Sequence, residues 1–233
     1  MTLDLQNIAI IGSSGAIGNA LTKSCYEKFP SASVFPFSSK ADHRIDYSSE
    51  ESIAAAAALA AKSKPLDLVI VATGLLHDDS IMPEKSLRDL STEKFNRIFQ
   101  ANTIIPALMA KYFLPKLNKD KLSIFAALSA RVGSISDNHL GGWYAYRCSK
   151  AALNMVIKSA AIEVGRVNKK AIITGLHPGT VDSKLSKPFQ NNLNHAKIFT
   201  PEYSASKLLE VIAKLRVEDT GKCFAWDGKE ILP

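Results

Sequence analysis

The sequence predicts one α/β domain over residues 1–233, built on a doubly wound parallel sheet with helices on both faces. Three observations carry this. Short apolar runs alternate with helix-length patterned segments along the whole chain. The runs are continuous rather than alternating, as strands buried on both faces require. No Gly/Pro/Ser-rich linker, repeat or low-complexity block divides the alternation, and 233 residues suit a single core.

The strands follow in order. "NIAII" runs straight into glycines. "ASVFPF" comes second. "LDLVIVAT" follows Pro65, which ends a helix. "LSIFAALS", "KAIITGLH" and "KCFAW" complete the set. Helical patterns fill the intervals at Ile17 to Phe29, Ile53 to Ala61, Thr92 to Phe113, Tyr144 to Val164 and Tyr203 to Leu215. The short interval from Phe37 to Asp46 leaves no room for a helix between the second strand and Asp46.

Composition excludes several function classes. Hydrophobic residues make up 46% of the chain, yet no apolar run reaches the ~18 residues of a membrane span. "IAAAAALAA" is too short and weakly apolar, and the start lacks a secretory signal's basic segment and cleavage site. A soluble cytoplasmic protein is expected. Cys25, Cys148 and Cys223 are odd in number and widely spaced, which argues against a disulfide framework, and they and the histidines lack metal-ligand spacing. The net charge of +7 favours anionic ligands. Its bases are scattered among acids without a stripe or recognition motif, which argues against nucleic acid.

"IIGSSGAIGNAL" places Gly12, Gly15 and Gly18 after the first strand, with Ser13, Ser14 and Ile17 among them. A tight strand-to-helix turn needs a residue without Cβ. A pyrophosphate needs close backbone approach and the open N–H groups of a helix start. The position between strand and helix makes this a dinucleotide-binding signal. After the second strand come Ser38, Ser39 and Lys40 in place of the acid that binds an adenosine 2′-hydroxyl. Hydroxyls and a lysine suit a 2′-phosphate, so NADP(H) is favoured over NAD(H); Asp42 nearby weighs the other way.

With Asn102, Ser129, Tyr146 and Lys150 in that order, the chain resembles the short-chain dehydrogenases/reductases over essentially its whole length. "YRCSKAALNM" is similar to the family's Tyr-x-x-x-Lys helix, and "LHPGTVDSKLSKPF" to its Pro-Gly segment over the nicotinamide. "ALSARVGSISDN" and "FAWDGKEILP" resemble the C-factor-like branch. Two departures stand out. The glycine spacing is Gly12-x-x-Gly15-x-x-Gly18, and Val71-Ala72-Thr73-Gly74 replaces the family's Asn-Asn-Ala-Gly. The second predicts altered hydrogen bonding or adenosine packing there.

The resemblance implies hydride transfer between a small carbonyl compound and its alcohol. Tyr146 is then the general acid in reduction and the base in oxidation. Helical spacing puts Lys150 on the same face, where its ammonium, with an oxidised nicotinamide ring, favours phenolate and brings the phenol into working range. Lys150 also binds the nicotinamide ribose. Ser129 bonds the carbonyl oxygen; its distance from Tyr146 exceeds the family's usual spacing, so Ser134 competes for that role. Asn102 holds a water that links Lys150 to solvent. Asp46 contacts adenine, Ala72 and Gly74 flank the cofactor, and Pro178, Gly179, Thr180, Val181 and Ser183 meet nicotinamide and phosphates. Leu75, Leu76, Trp143, Leu185 and Phe189 form an apolar pocket, with His139 near the substrate. The second reading is a dinucleotide-binding regulatory or signalling protein with little turnover. Apolar residues on several faces of the helices bearing Asn102 and Tyr146 predict a homodimer, or a homotetramer.

Overall fold

The apolar runs become strands of one eight-stranded sheet in a computed structural model that describes residues 4–40, 42–190 and 198–233. The strands of this sheet are β1 (Asn7–Ile11), β2 (Ser33–Ser38), β3 (His43–Arg44), β4 (Leu68–Val71), β5 (Ser123–Leu128), β6 (Ala171–His177), β9 (Cys223–Ala225) and β10 (Glu230–Ile231), of which β3 and β10 fall outside the six expected runs. Their order is β10-β9-β6-β5-β4-β1-β2-β3, and every pair is parallel except β9 with β10. A second, two-stranded parallel sheet joins β7 (Thr180–Val181) to β8 (Ile198–Phe199). Every residue of β1, β4 and β5 is buried, which is why those runs are continuously apolar.

The helices are α1 (Ala16–Lys28), α2 (Glu50–Ala60), α3 (Thr92–Phe99), α4 (Ile105–Phe113), α5 (Tyr144–Val164) and α6 (Pro201–Ile212). Strand alternation sorts the core into two layers. Ile8, Ile10, Leu68 and Ile70 meet Leu21 of α1 and Leu208 of α6. Ile11, Val69 and Phe125 meet Ile53 of α2, Phe113 of α4 and Leu153 of α5. From β1 the chain winds outward to β2 and β3, then crosses back to β4 on the other side. The ends of β1 and β4 therefore flank the switch point where such sheets bind ligands.

As expected, no helix separates β2 from β3 among the described residues. Two helices begin earlier than their apolar pattern. Ser49 caps α2 by accepting from Ser52 N–H at 3.1 Å, and Thr200 caps α6 by accepting from Tyr203 N–H at 3.1 Å. The expected helix Thr92 to Phe113 contains a π segment, Gln100–Ile104, in which Ile105 N–H reaches back to Gln100 O. Pro106 offers no N–H to the carbonyl of Asn102 four residues earlier, which favours such a break. Strands β7, β8 and β10, of two residues each, are too short to leave a periodic signal. Among the described residues no helix is long and apolar enough to cross a membrane.

Candidate active site

The glycine turn lies at the switch point. Gly12 has φ of 87°, and a Cβ there would sit 2.9 Å from the carbonyl carbon of Ala72. A Cβ on Gly18 would lie 2.2 Å from Gly12 O, so α1 packs on the turn only without a side chain there. Gly15 is less constrained, with a virtual contact of 3.3 Å. The amides of Gly12 and Ser13 donate to Phe37 O at 2.8 and 3.1 Å, tying the turn to the end of β2. Gly15 starts α1 with no side-chain cap and no acid in the first turn. The amides of Ala16, Ile17 and Gly18 thus point outward as an anion-binding end.

Of three cavities here, two touch this turn, and the other shares Tyr47 with one of them. One of about 490 Å³ is lined by Ser13, Ser14, Asn19, Ser38, Lys40, Asp42 and His43 among others. Ser38 is buried, and its hydroxyl accepts from Lys40 N–H at 3.1 Å. The second, about 380 Å³, holds Ser39, Arg44, Asp46 and Tyr47. Asp46 accepts from Ser48 N–H and Oγ–H at 2.9 and 2.6 Å, bonds that hold its carboxyl below the usual range. The third, about 270 Å³, is lined by Gly12, Ser14, Gly15, Tyr47, Ala72, Thr73 and Gly74. Two of its lining residues, Tyr47 and Thr73, have buried hydroxyls without a hydrogen-bond partner among the described residues. Such groups are costly unless a ligand or water meets them. Open amides, a cradle that Cβ atoms would fill and stranded hydroxyls fit a dinucleotide.

Tyr146 and Lys150 lie one turn apart on α5, the Nζ of Lys150 5.9 Å from the Tyr146 ring centroid. Lys150 is 3% exposed, and its Nζ donates to Leu128 O at 2.8 Å, at the end of β5. Gly74 joins the two halves of the site: a Cβ there would lie 3.8 Å from Lys150 Nζ and 3.5 Å from Asn102 Oδ1. Asn102 is fully buried. Its Oδ1 accepts from Leu75 N–H at 2.8 Å, and its Nδ2 donates to Leu75 O at 2.7 Å and Ser149 Oγ at 3.1 Å. It locks the loop after β4 against α5. Burial pushes the Tyr146 phenol up to about 12 and the Lys150 ammonium down to about 8. In the protein alone burial moves the phenol, and Tyr146 keeps its proton.

The two serines already have polar partners. Ser129 Oγ donates to Asn154 Oδ1 at 2.6 Å, and Ser134 Oγ accepts from Asp137 N–H at 3.1 Å. Gly133, between them, abuts α5: a Cβ there would meet the Lys150 carbonyl carbon at 2.8 Å. On the far side, Pro178 O accepts from Ser204 Oγ at 2.8 Å, and Gly179, with φ of 77°, faces the Phe199 ring. Thr180 and Val181 form β7, and Ser183 O accepts from Lys187 N–H at 3.0 Å.

The apolar wall forms only in part as expected. Leu75 packs with Tyr146. Trp143 lies 6.2 Å from the Tyr146 ring and 4.9 Å from Phe189, and His77 adds an edge contact to Phe189 at 5.6 Å. Leu76 is buried, Leu185 half-buried, and His139 exposed on its loop. Sequence reasoning missed Tyr47, Thr73, Arg44 and Gly133. The first three resemble loop residues in any sequence, and Gly133 carries no signal until α5 is packed against it.

A family model described as enoyl-(acyl carrier protein) reductase matches residues 28–212. A 1-hydroxy-2-glutathionyl-2-methyl-3-butene dehydrogenase of a Rhodococcus strain is 28% identical over 235 residues, covering 96% of this chain and 98% of that protein. The C-signal of Myxococcus xanthus is 32% identical over 146 residues, covering 63% and 82%. The solved structure of NADPH-bound carbonyl reductase from chicken fatty liver shares the fold with a TM-score of 0.84, at 23% identity over 99% of this chain and 100% of that one.

Proposed function

The chain belongs to the short-chain dehydrogenase/reductase family, and on that premise we propose that it interconverts a carbonyl compound and an alcohol with NADP(H), in the cytoplasm. The observation that carries this reading is the meeting of Tyr146, Lys150 and Gly74 beside the glycine turn. A bound nicotinamide dinucleotide supplies or accepts the hydride. The amides of Ala16, Ile17 and Gly18 hold its pyrophosphate. Ser13, Ser14, Ser38 and Lys40 take the 2′-phosphate, while Ser39, Asp46 and Ala72 enclose the adenosine. Pro178, Gly179, Thr180, Val181 and Ser183 close the nicotinamide end.

Tyr146 donates its phenolic proton to the carbonyl oxygen in reduction and recovers it in oxidation. Lys150 binds the nicotinamide ribose and returns the proton to Tyr146. Asn102 holds Gly74 and Leu75 in place beside Lys150 and orients the water that completes the relay. Ser129 turns from Asn154 to bond the substrate oxygen. Leu75, Trp143 and Phe189 receive an apolar substituent of the substrate. Met155 and Val167 are exposed at 66% and 73% along a groove of about 630 Å³ between α4 and α5. We propose that a second copy covers this groove.

The cofactor choice has a direct test. Calorimetric titration is expected to show NADPH binding at least about tenfold tighter than NADH, the scale of one charge-assisted contact. Lys40→Asp places a carboxylate against the phosphate and should reverse the order. Tighter binding of NADH to the unaltered protein rejects the assignment.

The pH dependence follows from Lys150. Its ammonium is depressed to about 8, so it is charged below that pH and neutral above it, while Tyr146 stays protonated to about 12. Carbonyl reduction should therefore be flat at neutral pH and fall as pH rises through about 8. Lys150→Arg, which stays charged, should remove the fall, whatever its overall rate. A rate constant that is level from pH 7 to 10 in the unaltered enzyme removes the ammonium from the mechanism.

A further inference from the structure

Glu84 is 2% exposed, and none of the roles above employs it. It lies in the loop between β4 and α3, and one of its carboxylate oxygens and its backbone oxygen both accept from the start of α5. Its Oε2 accepts from Ala145 N–H at 3.2 Å, and its backbone oxygen accepts from Trp143 N–H at 2.6 Å. Glu84 and Ala145 are 61 residues apart in the chain.

The start of α5 needs such help. Trp143 occupies the cap position, but indole has no acceptor to offer the first-turn amides. The helix has no side-chain cap of its own and no acid in its first turn. The chain enters it through three successive left-handed residues, Gly141, Gly142 and Trp143, with φ of 64°, 63° and 52°. Among the described residues Trp143 is the one non-glycine with positive φ, a conformation disfavoured for any residue with a Cβ. That conformation turns the indole against Phe189 and Tyr146. Gly142 also packs on Glu84, since a Cβ there would lie 3.4 Å from its backbone oxygen.

We propose that Glu84 is a positioning residue for the active site. It caps α5 from the β4–α3 loop and holds Trp143 left-handed, and so sets both the Tyr146 phenol and the indole wall beside it. A carboxylate at the positive end of the helix reinforces the bond. The inference rests on Tyr146 as the working group, but part of its test does not.

Glu84→Met keeps the length and removes the acceptor; Glu84→Gln keeps an acceptor and removes the charge. Fluorine resonances of 5-fluorotryptophan report on Trp143 and Trp226, the two tryptophans of the chain. In Glu84→Met the Trp143 resonance should move, and the Ala145 amide should exchange at least about tenfold faster. The kcat for carbonyl reduction should fall about ten- to hundredfold with dinucleotide affinity within about twofold. Glu84→Gln should restore all three to near the unaltered values. An unmoved resonance with unchanged exchange in Glu84→Met overturns the proposal, as does Glu84→Gln behaving like Glu84→Met. Should Glu84→Met not fold, a tenfold loss of kcat in Glu84→Gln at unchanged melting temperature overturns it alone. Resonance and exchange need no substrate: if they respond in a protein that reduces no carbonyl, the catalytic reading fails and the capping role stands.

Discussion

Tyr146→Phe is expected to remove most carbonyl reduction, by roughly 10²- to 10⁴-fold, the range that a positioned proton donor supplies. The loss is chemical rather than structural. The ring that packs with Leu75, Phe95, Ile98 and Ala145 is retained, and only the hydroxyl goes. Because burial keeps that hydroxyl protonated to about 12, the resting protein holds the proton that reduction consumes. Dinucleotide affinity should stay within about twofold, since the substitution leaves Lys150 and the glycine turn untouched. Single-turnover reduction across a panel of aldehydes and ketones, with calorimetry of the cofactor, separates these effects. Turnover equal to that of the unaltered protein sinks the role of Tyr146. An unaltered protein that binds the dinucleotide tightly yet reduces nothing points to the regulatory reading instead.

Gly18→Ala should be nearly as damaging, by another route. Alanine is the better helix former by about 1 kcal/mol, so propensity alone predicts stabilisation. The structure decides the opposite sign. The new Cβ would lie 2.2 Å from Gly12 O, 2.8 Å from Gly12 C and 3.1 Å from Ser13 Cα, all backbone atoms. The turn cannot give way freely, because Gly12 already abuts Ala72 and Thr73. Overpacking of this kind costs about 1–3 kcal/mol, and the displaced amides should weaken dinucleotide binding at least about tenfold. Gly15→Ala is the control, with a single 3.3 Å contact and a mild expected effect. Thermal melting and titration of both variants test the ranking. Gly18→Ala as stable and as tight-binding as the parent would reject it.

The site was legible in the sequence wherever its chemistry is local. Gly12 and Gly18 follow a strand and open a helix, and the clash that excludes a side chain at Gly18 falls on Gly12 and Ser13, within seven residues. Tyr146 and Lys150 share a face because the helix repeat puts them there. The expectation that Lys150 helps Tyr146 towards phenolate rests on helical spacing and leaves out desolvation, which pushes the phenol up to about 12 in the protein alone and depends on what covers the ring. Ser129 was legible as a strand-end hydroxyl, but its bond to Asn154 was not, because that partner lies on another element.

By itself the sequence determined the parallel sheet, its two helical layers, the glycine turn at the switch point and the Tyr–Lys face. Each follows from apolar periodicity or turn chemistry over a few neighbouring residues. Only the tertiary structure decided that Lys40 and Arg44 line different cavities, that Tyr47 and Thr73, whose buried hydroxyls lack partners among the described residues, line one cavity, and that Glu84 accepts from the start of α5. Those outcomes depend on strand register and on which loops fold over the ends of the sheet. A buried polar group takes the partner that packing brings within about 3 Å, and for Glu84 that partner is 61 residues away.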